Sequence, residues 1–477
     1  MPSGIATKIG PWKGNHPNWQ SISLGWQSPV SGKPPVGCVD LGKPRSPHSD
    51  TPSIAQPHPV PKDFSMKVGL EIALSDGQLD ATQANSQRQA AISVFALPEP
   101  SSREVPLNLC LILDHSGSMR GKSLDTVKQA AKGLIEKLTP GDRIAIIAFN
   151  HEAHVLVANQ TVNQPADIQS QLDALTATGG TNIDEGLKIG IEECAKGKQG
   201  TVSQIFLLTD GENEHGNNDR CLKLAHVATG YGLTINALGF GDNWNQDILE
   251  QIADAGIGAL AYIAAPELAV TEFDRLLNRA QSVGLTNAHL MLKLAPNTRL
   301  AEMKPLAQVS PETIELPVTM EGDIAIARLG DLLVDAPRVV LVNLYFDQLS
   351  EGSHTVAQVQ VRYDNPLTGT TTASDISPIT LQAVPTYAPH PNPAVQTHIL
   401  ALAKYRQTQI AENKLQQGDK TGAATMLQTA ANTALQMGDR AGATVLQETA
   451  TRLQSGEALS ERDRKQTRIA SKTVLQG

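Results

Sequence analysis

At 477 residues the chain has room for two or three domains, each able to bury an adequate core, and it carries a net charge of −9. That balance argues against a nucleic-acid partner and for a soluble protein. No run approaches the roughly 18 apolar residues a membrane span requires. The four cysteines, Cys38, Cys110, Cys194 and Cys221, are scattered without metal-ligand spacing or a disulfide framework, so a reducing, cytoplasmic setting is expected.

Residues 1–65 hold Trp12, Trp19 and Trp26 among many prolines and lack hydrophobic periodicity, which reads as a disordered, proline-rich extension. Strand-like sequence starts at Met66, and translation from Met66 is the sharper reading of the same change in composition. Neither start has the layout of a signal peptide. Residues 66–104 contain two predicted strands, 68–74 and 89–97.

Between 105 and 282 the elements alternate. Strands are expected at 108–113, 143–149, 204–208, 234–239 and 260–263, with 154–158 as an edge strand. Helices are expected at 123–138, 166–175, 183–194, 218–229, 246–255 and 267–282. Alternation of this kind predicts an α/β class fold, a doubly wound, mostly parallel sheet with helices on both faces. Residues 283–384 change character: 313–318, 323–328, 338–346 and 354–363 read as antiparallel strands of a β-sandwich, with turn signals at Glu321-Gly322-Asp323 and Asp364-Asn365-Pro366. Residues 385–394 form a stiff proline-rich linker. A bundle of about three helices follows at 395–454. Within it an internal repeat, Gly418-Asp419 and Gly438-Asp439, supplies the end of one helix and the cap of the next. The polar, mildly basic residues 455–477 read as a flexible tail. Ala-rich helix faces leave the bundle open to oligomerisation, to partner docking or to stacking on its own chain.

Chemistry is concentrated at residues 107–119. A short run apolar at nearly every position ends in Asp114 and then offers Ser116 and Ser118. Such a run suits a strand buried on both faces, and its carboxyl end is where open α/β sheets hold ligands. Thr181 lies in a glycine-rich turn with Gly179 and Gly180 that opens a helix, and Asp210 ends a second buried run. Two carboxylates and three hydroxyls from strand-end loops suit a hard divalent cation, Mg²⁺ first, with Mn²⁺ or Ca²⁺ as alternatives. Taken singly, Asp and Ser after a strand are more often helix N-caps than ligands.

In its order, Asp-x-Ser-x-Ser, then Thr, then Asp, the set Asp114, Ser116, Ser118, Thr181 and Asp210 resembles the metal-ion-dependent adhesion site (MIDAS) of the von Willebrand factor type A (VWA) domain. The resemblance covers residues 105–282. It implies a Rossmann-like fold, those five residues as the metal site, and a coordination position left for the Asp or Glu of a protein partner. It also raises the expectation that the strands on either side pair into one sandwich carrying the VWA domain as an insertion; independent strands before residue 100 are the alternative. The function so implied is a non-enzymatic, metal-dependent protein–protein interaction module or scaffold. A second reading makes the chain the adhesion-domain co-factor of a separate AAA-type ATPase, since this chain has no Walker motif. A third, a metal-dependent phosphatase or hydrolase, lacks both the second Asp of haloacid-type phosphatases and a nucleophile elbow at Ser116. Gly239-Phe240-Gly241-Asp242 reads as a strand-end turn near the site's rim, and Glu212, Glu214 and His215 as exposed polar groups beside it.

Overall fold

The computed structural model describes residues 67–98, 105–334 and 336–472. The proline-rich segment 1–65 and the start at Met66 lie outside them.

Strand Leu107–Asp114 is buried at every position. It lies in the middle of a six-stranded sheet, parallel to Arg143–Phe149 on one side and to Val202–Thr209 on the other. Thr234–Phe240 and Ile257–Ile263 extend the sheet in parallel, and Ala153–Thr161 closes the opposite edge antiparallel. Successive side chains of the central strand enter different layers. Leu109, Leu111 and Leu113 pack with Leu134 and Phe273 beneath helices Lys122–Glu136 and Ala269–Gln281. Cys110 and Ile112 pack with Leu187, Cys221 and Ile252 beneath helices Ile183–Lys196, Asn218–Gly230 and Gln246–Ala255. Burial on both faces is why the strand shows no polar alternation.

The strands flanking this α/β unit belong together. Asn85–Leu97 pairs with Arg338–Asp347, for example Ile92 with Val340, so residues from both sides of the unit share one sheet. The second sheet runs Val318–Glu321, Ile324–Leu333, Val283–Leu294, Gly352–Asn365, Ser377–Val384 and Gln78–Asp80. Its last pair, Ser377–Val384 with Gln78–Asp80, is parallel and again joins the two flanks. Ile92, Val94, Leu290, Leu292, Val340, Val359 and Val361 fill the space between the sheets. Strand Val283–Leu294, unexpected from the sequence, continues directly from helix Ala269–Gln281 and carries the chain out of the α/β unit.

A polar joint connects sandwich and α/β unit. The Asp331 carboxylate is buried and accepts from Gln204 Nε2 and Thr234 Oγ1, each at 2.7 Å. Beside it, Arg338 donates through Nε to the Asp331 carbonyl and through Nη1 to Gln308 Oε1, both at 2.6 Å. Burial pushes the Asp331 carboxyl up and the Arg338 guanidinium down, to about 10, while each charge favours the other's ionised form.

The C-terminal part is a bundle of four helices, Pro393–Gln416, Lys420–Gln436, Arg440–Gln454 and Glu461–Lys472. The repeat works as its sequence suggests. Gly418 and Gly438 turn with φ of +82° and +83°, and Asp419 and Asp439 each accept from the amide three residues on at 2.8 Å. The first helix packs Val395, Leu402 and Tyr405 on Val309, Val339 and Leu341 of the sandwich. The expected flexible tail at 455–477 is corrected: Glu461–Lys472 is a helix, and Lys465, Ser471 and Lys472 in it are buried. Its polarity reflects acidic neighbours rather than solvent. Arg468 pairs with Glu250, Asp247 and Glu412, and Lys472 with Glu250 and Asp254 of the α/β unit. Lys465 lies 4.3 Å from the centroid of the Trp244 ring and donates to the Asp242 carbonyl at 2.5 Å. Among the described residues no helix is long and apolar enough to cross a membrane.

Candidate metal centre

Five oxygen-bearing side chains meet at the carboxyl end of the central sheet. Asp114 ends its strand fully buried, and its Oδ1 accepts from the Ser116 amide at 2.7 Å, which folds the loop back over the strand end. Ser116 Oγ lies 3.0 Å from Ser118 Oγ, and Ser118 Oγ donates to Asp210 Oδ1 at 2.6 Å. Thr181, almost fully buried, and Ser118 both face Gly211: a β-carbon there would lie 3.3 Å from Thr181 Oγ1 and 3.9 Å from Ser118 Oγ. The Gly117 amide donates to the Gly179 carbonyl at 2.8 Å, tying the serine loop to the Thr181 loop. Ser118 is exposed and Asp210 half-buried, so the cluster opens to solvent on one side.

The electrostatics are those of an anionic pocket short of positive charge. Burial pushes the Asp114 carboxyl up to about 6, aided by the Asp210 charge and opposed by hydrogen bonds from Thr209 and Ser116. Asp210 is also raised, mainly by burial, against the bond from Ser118. A divalent cation would relieve both. All five donors are oxygen and three of them are neutral hydroxyls, so the set fits a hard ion that keeps part of its hydration shell. The residues present therefore fit a resident Mg²⁺-class ion.

Sequence reasoning missed the residues that hold this set in position. Thr209 Oγ1 donates to Asp114 Oδ2 at 2.5 Å and accepts from the Gly211 amide at 3.2 Å, bridging the two acidic strand ends. Asn150 donates to the Thr178 carbonyl at 2.9 Å, and Asn213 Oδ1 accepts from the Ile183 amide at 2.7 Å, so the Thr181 loop is held from both sides. The only signal for Thr209 was a hydroxyl at the last buried position before Asp210. Glu212, Glu214 and His215 lie exposed on the rim. Gly239-Phe240-Gly241-Asp242 is a strand-end turn whose Gly241 carbonyl accepts from Trp244 Nε1 at 2.7 Å.

The same architecture recurs in known proteins. The model of the von Willebrand factor type A domain matches residues 108–273, and that of the Sll0103-like, C-terminal alpha-helical domain matches residues 393–477. The protein sll0103 of Synechocystis sp. is 58% identical over 412 residues, which cover 86% of this chain and 98% of that relative. The Escherichia coli protein YfbK is 28% identical over 235 residues, 48% of this chain and 38% of its own length. Among solved structures, a von Willebrand factor type A protein from Catenulispora acidiphila superposes with a TM-score of 0.74 at 17% identity, over 87% of this chain and 99% of that one, a likeness of fold alone.

Proposed function

From the premise that this chain belongs to the Sll0103-like family of von Willebrand factor type A domain proteins, we propose that it is a metal-ion-dependent protein-binding scaffold of the cytoplasm. VWA domains often mediate protein–protein interactions. The finer reading is that Asp114, Ser116, Ser118, Thr181 and Asp210 hold a divalent cation, Mg²⁺ in the cell, and that the partner contributes an Asp or Glu. The observation that carries it is the hydrogen-bonded run from Asp114 through Ser116 and Ser118 to Asp210, open to solvent at Ser118.

When bound, such an ion offers an open coordination position to a carboxylate, and it stays electrophilic because only two of its five protein oxygens' side chains carry charge. The protein's own part is orientation. Thr209 and the Ser116 amide fix the Asp114 carboxylate, while Asp210 turns the Ser118 hydroxyl into the cluster. A binding role is favoured over hydrolysis because the adjacent imidazole, His115, is turned to the Thr176 carbonyl, at 2.9 Å from Nδ1.

The test is retention of partners from native lysate by the full chain in Mg²⁺ or in EDTA, with wild type and Ser118→Ala side by side. A protein held only by wild type in Mg²⁺ is the expected result, and carboxyl-directed mutation of that protein should release it. If that protein is an ATPase, the scaffold serves a separate motor. Retention indifferent to both changes would sink the metal-bridged reading.

A further inference from the structure

Three imidazoles, His115, His151 and His215, border the loop that carries Thr181, a fourth, His154, lies against His115, and none is used by the oxygen site. His115 follows Asp114, and its amide donates to the Phe149 carbonyl at 2.9 Å. His151 and His154 lie on the turn and first residues beyond that same strand, with Ala148 opposite His154 in the pairing. His151 packs on Gly179, where a β-carbon would lie 2.2 Å from its Nδ1, and His215 packs on Gly180, where one would lie 2.4 Å from its Nε2. Any side chain on those two glycines would displace the rings.

His115 is the anchor. Its Nδ1 faces the Thr176 carbonyl, which can only accept, so Nδ1 carries the proton. Nε2 is thereby the lone pair, and it is buried without a hydrogen-bond partner in a residue only 8% exposed. A fixed tautomer, with one nitrogen held by a backbone carbonyl and the other bare, is the arrangement of a metal-ligating histidine. The ring centroid of His154 lies 5.7 Å from that of His115, with the planes at 88°. Two imidazoles on one tetrahedral ion, with Zn–N of about 2.0–2.1 Å, have centroids roughly 5 Å apart. The separation is close to that value, and the exposed His154 ring can turn a nitrogen toward the same ion.

We propose that His115 and His154 form a second metal site, for a zinc-class divalent transition ion, distinct from the hard-oxygen cluster on the other side of the Asp114 loop. Among the described residues no three His, Cys, Asp or Glu side chains are already gathered into a ligand set. The third ligand is the exposed His151, recruited by rotation, and water completes the four. Bound there, the ion would clamp the 149–154 turn to the Asp114–Ser118 loop. Imidazole selects zinc over magnesium, and hydroxyl and carboxylate the reverse, so the two sites take different ions from one solution.

The full chain is titrated calorimetrically with Zn²⁺ in excess Mg²⁺, using wild type, His154→Ala, His115→Gln and Ser118→Ala. The expected result is one Zn²⁺ bound per wild-type chain, weakened at least about tenfold by either histidine change and unaltered in Ser118→Ala. Cu²⁺ in place of Zn²⁺ should give an electron paramagnetic resonance spectrum with nitrogen hyperfine splitting that His154→Ala diminishes. His154 is exposed, so its replacement leaves the fold intact. No Zn²⁺ uptake in excess Mg²⁺ would overturn the proposal. So would uptake lost in Ser118→Ala but retained in His154→Ala, which assigns the zinc to the oxygen cluster.

Discussion

At the scale of residues, the site is held by hydroxyls that each do two jobs. Ser118 Oγ links Ser116 to Asp210, and Thr209 Oγ1 links Asp114 to Gly211. Among the described residues neither carboxylate takes part in an ion pair, so a bound divalent ion should stabilise the α/β unit through linkage. At about one hundred times Kd, Mg²⁺ should add about 2.7 kcal/mol, and the α/β transition should rise by roughly 5–10 °C in calorimetry. Ser118→Ala should abolish that rise while changing the metal-free midpoint little, since Ser118 is exposed. A rise that persists in Ser118→Ala would place the stabilising ion elsewhere. The five oxygen residues were legible in the sequence because their order along the chain and their positions at strand ends are local facts. Thr209 and the histidines were not, because their partners are set by which strands become neighbours. His115 meets His154 only through the pairing of Arg143–Phe149 with Ala153–Thr161.

At the scale of elements, helix Glu461–Lys472 is the instructive error. Its charges read as a solvated tail because no apolar stripe marks a buried face. The face it buries is cationic, and the surface it meets on helix Gln246–Ala255 is acidic through Asp247, Glu250 and Asp254. Only the three-dimensional arrangement brings these two patterns together. Lys465 is the most buried cation of the helix, stacked on Trp244 two residues beyond Asp242. Lys465→Ala should remove a desolvated cation–π contact of about 2 kcal/mol, equivalent to roughly thirtyfold more opening of the helix. Amide exchange over 461–472 should accelerate by that factor while exchange in strand Leu107–Asp114 is unchanged. Equal acceleration in both would mean that the helix does not open independently.

On the scale of the whole molecule, one sandwich holds the α/β unit at its two chain crossings, and the C-terminal helix grips it at a third place. The Asp331–Arg338 joint is the buried polar part of the first contact. Asp331→Ala leaves the Arg338 guanidinium buried without its nearest countercharge and Gln204 and Thr234 without their acceptor. It should cost about 3–5 kcal/mol in urea unfolding. A cost below about 1 kcal/mol would show that water reaches the joint on mutation. Composition indicated strands on both flanks, and the resemblance raised the expectation that they join. Which strand pairs with which was beyond the sequence: alternating apolar residues define a face, while the choice of neighbour depends on the whole sandwich closing.

The pairing of Asn85–Leu97 with Arg338–Asp347 also has a consequence in time. The earlier strand emerges from the ribosome long before its neighbour exists, with the entire α/β unit still to be made between them. At about 5–20 residues per second, that interval is on the order of 10–50 s. During it Asn85–Leu97 has Lys67–Leu74 on one edge and nothing native on the other. The α/β unit, whose six strands all come from one continuous stretch, can close its sheet first. The sandwich that carries it is thus the last part of the pair to be completed, and a newly made chain displays an open strand edge until it is.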